Sequence, residues 1–198
     1  MELRAEQDMQ LPVLFASKRF GDARGWFCET YSERSLTRYG IHDRFVQDNQ
    51  SLSAQTGTIR GLHYQLPSAA QAKLVRVVRG RILDVAVDIR RASPTYGQFV
   101  SAELSADNGR QLYVPVGFAH GFCTLEDNTE VLYKVSDFYS PKHEAGIRWD
   151  DPLINIPWPV AGGSAVVSAK DAELPPLSQC RNTFIYAGAP LQPLTLMI

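Results

Sequence analysis

The most regular alternation of apolar and polar side chains lies in residues 73–90, KLVRVVRGRILDVAVDIR. Alternate positions in an extended chain point to opposite faces, so a period of two predicts β-strands on both sides of residue 80. Gly80 follows Arg79 and interrupts the pattern, and glycine readily adopts the conformations that tight turns require. Residues 73–90 therefore predict a β-hairpin with its turn at Gly80.

Further strand patterns follow at short intervals. They lie at residues 97–104, 111–114, 121–125 and 130–138, and residues typical of turns, such as Pro94, Asn108 and Asn128, stand between them. Strands this closely spaced, without long helices between them, favour an all-β double-sheet jelly roll or a similar barrel.

Only short helices are expected. Residues 32–39 form a helical pattern that Gly40 ends, and residues 168–173 predict a single turn of helix. Residues 175–198 are rich in proline and apolar side chains. This segment is predicted to strap the barrel, to strap a partner subunit, or to form a loose tail, and its periodicity does not distinguish these arrangements.

The composition narrows the class of protein. A length of 198 residues predicts one domain over residues 1–198. The balance of 20 basic against 21 acidic residues argues against a general nucleic-acid binder. Cys28, Cys123 and Cys180 form no CxxC pair, which is typical of reduced thiols. Residues 1–15 do not resemble a signal peptide, and no apolar stretch is long enough to cross a bilayer. We therefore expect a soluble, cytoplasmic protein without nucleic-acid or membrane partners.

Histidine is the side chain best suited to move protons near neutral pH, and the sequence contains four histidines. His63 precedes the strand that begins at Lys73, and His120 lies in a glycine-rich segment. Position alone leaves both as candidates for a functional role. His42 and His143 are expected at the surface.

Signatures of several chemistries are missing from the sequence. His63 is followed by Tyr64 and Gln65 rather than by a second ligand two positions on, so we predict no metal site. No HExxH, GxxxxGK[ST], GxSxG or GxGxxG motif is present. Cofactor-free proton transfer remains, and it requires a base, an acid and a donor for the developing oxyanion.

Residues of the required types stand near the two histidines. Lys73 opens a strand, Tyr133 lies on another strand with Lys134 on its opposite face, and Arg24, Arg60 and Arg110 are able to bind phosphate. Taken singly, each arginine is more simply explained as an exposed charge.

A series of motifs, in collinear order over about residues 12–177, resembles the dTDP-4-dehydrorhamnose 3,5-epimerase family. They are FVQDN (45–49), RGLH (60–63), QAKLV (71–75), DVAVD (84–88), SPT (93–95), PVGFAHGF (115–122), GIRW (146–149), DP (151–152), WP (158–159) and SAKD (168–171). The resemblance implies a cupin-type jelly roll, a homodimer, and no metal or organic cofactor. It also implies inversion of C3 and C5 of dTDP-4-dehydro-6-deoxyglucose, with residues 178–198 as a C-terminal extension.

The resemblance also implies roles for individual residues. His63 is the expected base, Asp171 orients it, Lys73 stabilises the enolate oxygen, and Tyr133 returns a proton from the opposite face. The expected substrate-binding residues, besides Lys73, are Arg24, Glu29, Gln47, Asp48, Asn49, Arg60, His120, Glu144 and Lys170, with Tyr139 stacking on thymine.

Three alternatives share parts of this pattern. An epimerase that inverts only one carbon of a nucleotide-linked keto sugar would need nearly the same residues, so the sequence does not separate it from the double epimerase. A non-catalytic sugar-nucleotide binding module is disfavoured because His63, Tyr133 and Asp171 are all present. A metal-dependent cupin oxygenase is disfavoured by the missing HxH pair.

Overall fold

A computed structural model of the protein describes residues 11–160 and 164–198. The first ten residues fall outside these ranges, and with them most of the segment for which we predict no signal peptide. The single domain over residues 1–198 likewise stays a prediction. Each α-helix in the described ranges has four residues, and none could cross a membrane.

Two six-stranded sheets make up the body of the described structure. Sheet I contains, in spatial order, β14 (Leu196–Met197), β1 (Val13–Ala16), β9 (Arg110–Val114), β6 (Lys73–Arg79), β11 (Thr129–Val135) and β4 (Gln47–Ser53). Sheet II contains β12 (Glu144–Gly146), β5 (Thr58–Gln65), β10 (Phe118–Thr124), β7 (Arg81–Asp88) and β8 (Phe99–Ser105), with β13 (Val166–Val167) paired to β5. A separate hairpin consists of β2 (Arg19–Asp22) and β3 (Gly25–Cys28).

The sheets pack face to face, because one apolar cluster contains Val75 and Val77 from sheet I together with Ile82, Ala86 and Phe122 from sheet II. This arrangement confirms the predicted all-β, cupin-type double-sheet jelly roll. A second apolar cluster covers the outer face of sheet II, where side chains of β7 meet segments that follow β12, including Ile154, Ile156, Trp158 and Phe184.

The predicted hairpin in residues 73–90 is wrong. Strand β6 pairs with β9 and β11 in sheet I, whereas β7 pairs with β8 and β10 in sheet II. Gly80 has a φ of 74° and connects the two sheets, and a Cβ there would clash with Thr129. The alternation of apolar and polar side chains indicates that the faces of both strands are covered, but it does not indicate which strand lies beside which.

The other four predicted strands are present as β8, β9, β10 and β11, although β11 ends at Val135 rather than at Phe138. Both predicted helices are also present. Helix α1 (Glu33–Leu36) begins at the N-cap Ser32, continues as a 3-10 turn and ends at Gly40, whose φ is 73°. Helix α2 (Ala169–Ala172) is capped by Ser168.

The C-terminal segment lies on the protein's own barrel. Phe184 and Leu191 are buried, and β14 pairs in parallel with β1 at the edge of sheet I. The Arg90 guanidinium donates to the carbonyl oxygens of Ala187 and Ala189 at 3.4 and 3.2 Å. Of the arrangements considered for residues 175–198, the strap across the barrel is the one observed.

Candidate active site

A cavity of about 420 Å³ lies between the two sheets. A second cavity of about 240 Å³ shares part of its wall with the first. Three of the predicted site residues, His63, Lys73 and Tyr133, line both cavities. The two cavities therefore share one cluster of polar side chains.

The histidine of β5 forms a dyad with the carboxylate of α2. His63 Nε2 lies 2.7 Å from Asp171 Oδ1, and the Gly61 amide donates to the other carboxylate oxygen at 3.3 Å. The N-cap of α2 fixes Asp171, whose backbone amide donates to the Ser168 hydroxyl. Burial would raise the pKa of Asp171, but its hydrogen bonds, above all the one with His63, hold that pKa below its usual value.

Strands β5 and β10 approach closely beside this dyad. A Cβ added to Gly61 would lie 2.6 Å from the Gly121 Cα, so the approach requires glycine. His120 on β10 is the register partner of His63 on β5. The His120 Nε2 atom lies 2.7 Å from Oδ1 of Asp84, which is fully buried, and burial lowers the pKa of His120 although Asp84 opposes the shift.

Lys73 opens β6 and reaches the same cavity from sheet I. Its ammonium donates to the His63 carbonyl oxygen at 3.4 Å. Burial lowers the pKa of Lys73 to about 8, even though the negative charges of Asp84 and Glu144 favour its protonated form. A weakly solvated cation next to a cavity is suited to stabilise a negative charge that forms there.

Tyr133 projects from β11, so it belongs to the sheet opposite His63. Burial raises the pKa of the Tyr133 phenol, which keeps it protonated near neutral pH, and the positive charge of Arg60 only partly offsets this effect. The cavity therefore has a proton acceptor on one wall and a proton donor on the other.

Hydrogen bonds connect the predicted binding residues around the second cavity. Glu144 accepts from the Tyr139 hydroxyl and from Lys170 Nζ, both at 2.6 Å. Gln47 donates to the Asn49 side chain at 2.8 Å and accepts from the Tyr139 amide at 3.1 Å. These groups form a polar rim on the side of the cavities lined by Tyr139.

Arg60 is held at the wall of the larger cavity. Its Nε donates to the Ser53 hydroxyl and its Nη2 donates to the Leu52 carbonyl oxygen, both at 3.1 Å. Both acceptors are uncharged, so the positive charge of Arg60 is available for an anionic group in the cavity.

Three predicted binding residues do not join this cluster. Arg24 lies in the exposed β2–β3 hairpin and forms an ion pair with Asp22 at 2.6 Å, and Glu29 accepts from the Ser35 hydroxyl at 2.7 Å. Neither residue lines the cavities that contain His63. Asp48 points to the other face of β4, where it forms an ion pair with Lys134 at 2.8 Å.

Two residues at the site, Asp84 and Ser51, are not among those that the sequence predicts. Asp84 was placed in an apolar strand without a role, although a charged residue among valines is itself a signal of a specific buried partner. Ser51 lines the cavity from β4, a strand that was also missed, because its inward row is polar and carries no hydrophobic alternation. Strand β5, which carries His63, was missed as well.

Within residues 11–160 and 164–198, no three His, Cys, Asp or Glu side chains are arranged to hold a metal ion. His63 and His120 each contact one carboxylate, and those carboxylates lie on different elements. The donor atoms that a tetrahedral or octahedral site needs are not gathered around either histidine.

Comparison with known proteins connects this geometry to one group of sequences. The profile of dTDP-4-dehydrorhamnose 3,5-epimerase matches residues 7–179. A dTDP-4-dehydrorhamnose 3,5-epimerase from Sinorhizobium fredii is 51% identical over 173 residues, which cover 87% of this chain and 88% of that protein.

Solved structures show the same similarity. The dTDP-4-dehydrorhamnose 3,5-epimerase of Bacillus anthracis, solved with TDP and pyrophosphate bound, is 49% identical with a TM-score of 0.81, over 87% of this chain and 97% of that one. The dTDP-6-deoxy-D-glucose-3,5-epimerase of Legionella pneumophila, in complex with dTDP-4-keto-L-rhamnose, is 43% identical with a TM-score of 0.78, over 85% and 94% of the two chains.

Proposed function

The chain belongs to the dTDP-4-dehydrorhamnose 3,5-epimerase family, and on that premise we propose how its cavity inverts two carbons of a sugar. The substrate is dTDP-4-dehydro-6-deoxy-D-glucose and the product is dTDP-4-dehydro-L-rhamnose, the keto sugar of dTDP-rhamnose biosynthesis. The protein is accordingly an isomerase. The observation that carries the assignment is the His63–Asp171 dyad on one wall of a cavity, with Tyr133 on the other.

The first step is removal of a carbon-bound proton. The Asp171 carboxylate has a lowered pKa and accepts a hydrogen bond, so the shared proton is assigned to His63 Nε2. The Nδ1 lone pair of His63 is then free to take the proton from C3 or C5, the carbons next to the ketone. The side chain of His63 is 31% exposed, so the proton it takes exchanges with solvent.

The electrons of the broken C–H bond move into a carbon–carbon double bond, and the C4 ketone becomes an enolate. The Lys73 ammonium stabilises the oxygen of that enolate. One preorganised donor at an oxyanion contributes about 3–4 kcal/mol in other enzymes, which defines the scale expected for Lys73.

Inversion requires that the carbon be reprotonated from the opposite face. Tyr133 donates this proton, the enolate returns to the ketone, and the tyrosinate regains a proton from solvent. The same cycle at the second carbon completes the reaction, and no redox step occurs because each C–H bond is remade at its own carbon. General acid and base catalysis of this kind contributes about 10²–10⁴-fold.

The experiment that tests this function is an NMR time course in deuterium oxide with dTDP-4-dehydro-6-deoxyglucose. We expect deuterium at both C3 and C5 and signals of the L-rhamno product. Incorporation at one carbon alone would instead identify a single-centre epimerase. The absence of any exchange would contradict the proposal.

We also propose that the protein is a homodimer in which the hairpin of one subunit completes the site of the other. The hairpin presents Phe27, 70% exposed, and Trp26, 59% exposed, and such large exposed aromatic side chains are typical of interfaces. Arg24 and Glu29 belong to the substrate site by family resemblance, yet they lie away from the cavity of their own subunit. In a homodimer, Arg24 and Glu29 of one subunit would lie at the cavity of the other subunit, which accounts for their distance from their own.

Mixing two inactive variants tests the dimer. Subunits of His63→Ala and Arg24→Ala are each expected to have low activity. If the hairpin acts across the interface, half of the dimers after equal mixing are mixed, each with one intact site, and activity returns to about one quarter of wild type. No recovery would contradict the exchange of hairpins, and a monomeric mass in solution would contradict the dimer.

We further propose that the protein acts in the cytoplasm. Its three cysteines form no disulfide, which agrees with a reducing compartment. Cell fractionation with activity assays tests the location, and activity confined to an extracytoplasmic fraction would contradict it.

A further inference from the structure

The inward row of β4 contains four polar side chains at alternate positions, and one of them differs from the rest. Gln47 and Asn49 are hydrogen-bonded to each other, and Ser53 accepts from Arg60. The Ser51 hydroxyl is buried and has no hydrogen-bond partner within the described part of the chain. Ser51 nevertheless lines the larger cavity together with His63 and Tyr133.

A buried hydroxyl without a partner destabilises the free protein, because it has lost its hydrogen bonds to water and gained none in return. Alanine at position 51 would avoid this cost. A polar group left unpaired at the wall of a binding cavity is explained most directly if its partner arrives with the ligand.

The register of β11 gives the place of Ser51 along the cavity. Ser51 lies opposite Val131 and Asn49 lies opposite Tyr133 in the pairing of β4 with β11, whereas Lys73 lies opposite Val135 in the pairing of β6 with β11. Four residues of β11 span about 13 Å. Along the cavity, Tyr133 therefore lies between Lys73 at one end and Ser51 at the other.

Arg60 lies at the Ser51 end of the cavity, because it donates hydrogen bonds to the Ser53 hydroxyl and to the Leu52 carbonyl oxygen. A nucleotide-linked sugar with its ketone at Lys73 would direct its phosphates toward Arg60. The ring positions between the reacting carbons and the phosphate are C1 and C2. Of these two, C2 carries a free hydroxyl, and the reaction does not alter it.

We propose that the Ser51 hydroxyl donates a hydrogen bond to the C2 hydroxyl oxygen of the substrate and so selects sugars that carry this group. This inference rests on the proposed function, because it takes the orientation of the sugar from the chemistry at His63, Lys73 and Tyr133. Ser51 is in this sense a specificity residue, which binds a part of the sugar that does not react.

The test compares the kcat/KM of wild type and Ser51→Ala on dTDP-4-dehydro-6-deoxyglucose and on its 2-deoxy analogue. We expect the substitution to lower kcat/KM about tenfold on the natural substrate, which is the scale of one neutral hydrogen bond, and to leave it unchanged on the analogue. Ser101→Ala, the same change at an exposed position of β8, is the matched control and should alter neither value.

An equal loss on both substrates, or no loss on the natural one, would overturn the inference. Thermal unfolding of ligand-free Ser51→Ala gives a second, independent measurement. We expect a midpoint at or above that of wild type, since an unpaired buried hydroxyl has been removed, and a midpoint several degrees lower would overturn the inference. Failure of the wild type itself to convert the natural substrate would contradict the proposed function instead.

Discussion

His63 and His120 lie opposite each other on the adjacent antiparallel strands β5 and β10, and each ring contacts its own aspartate at 2.7 Å. The two histidines nevertheless differ in access to the cavity. The His63 side chain is 31% exposed and that of His120 is 7% exposed, and burial lowers the pKa of His120. The exposed member of the pair is therefore suited to carry protons to and from solvent, and the buried member is suited to bind.

The His63–Asp171 pair leads to the first prediction. His63→Ala should abolish exchange of the C3 and C5 hydrogens with deuterium oxide. Asp171→Asn should lower kcat by about 10²–10⁴-fold, because the amide lacks the negative charge of the carboxylate and its NH2 group is able to donate to His63 Nε2, which favours the wrong tautomer. Asp150→Asn changes an exposed carboxylate paired with Arg148 and should retain full activity. Near-normal exchange in His63→Ala would refute its role as the base.

Tyr133→Phe should separate proton removal from inversion. The variant lacks the phenolic donor, while His63 and Lys73 remain, so we expect deuterium exchange to continue while inversion is lost at one carbon or more. NMR measures both quantities in the same sample. Epimerisation at the wild-type rate would count against Tyr133 as the acid.

The rate should depend on the protonation of Lys73. Burial lowers the pKa of Lys73 to about 8, so its stabilising charge is present below that pH and is lost as the pH rises through it. We expect kcat/KM of the wild type to fall above about pH 8. Lys73→Arg, which keeps its charge at these pH values, should show a lower rate without this alkaline decline; an unchanged decline would assign it to another group.

The same lysine should reduce the stability of the fold. A buried lysine whose pKa is below its ordinary value destabilises the folded state while it is protonated. This loss of stability disappears as the pH rises to the pKa that the same lysine has in the unfolded chain. Lys73→Met should therefore raise the free energy of unfolding at pH 7 by about 1–3 kcal/mol while activity is lost. Urea denaturation measures the difference, and a less stable variant would contradict it.

The buried ion pair beneath the C-terminal strap gives a prediction on stability alone. Arg90 and Asp88 are both fully buried and lie 2.7 Å apart, and the guanidinium stacks over Phe118 and Tyr186. Arg90→Met should cost about 3–5 kcal/mol, because Asp88 would remain buried without its cation, and it should expose residues 180–198 to proteolysis. Arg148→Met, at an exposed ion pair, should cost less than about 1 kcal/mol.

Much of the fold follows from local signals in the sequence. Strand patterns located six of the principal strands, and local helical patterns, one of them ended by Gly40, located both helices, because these features depend on neighbours a few residues away. The family resemblance named His63, Lys73, Tyr133 and Asp171 together as catalytic candidates, and the structure brings all four to the wall of one cavity.

Other features depend on contacts between distant segments, and only the tertiary structure decided them. The alternation of apolar and polar side chains indicates that a face of a strand is covered, but it does not indicate which strand covers it. The sequence therefore predicted a hairpin of β6 and β7, although these strands belong to opposite sheets. The cavity wall is polar, so β4 and β5 lacked the apolar period that marks a strand, and Ser51 went unnoticed. Whether Asp84 pairs with His120, and whether Arg24 lies beside His63, depends on the folded chain as a whole. The sequence by itself determined the chemistry available to this protein, and its three-dimensional packing decided which groups meet, because hydrogen bonds and burial act between residues far apart in the chain.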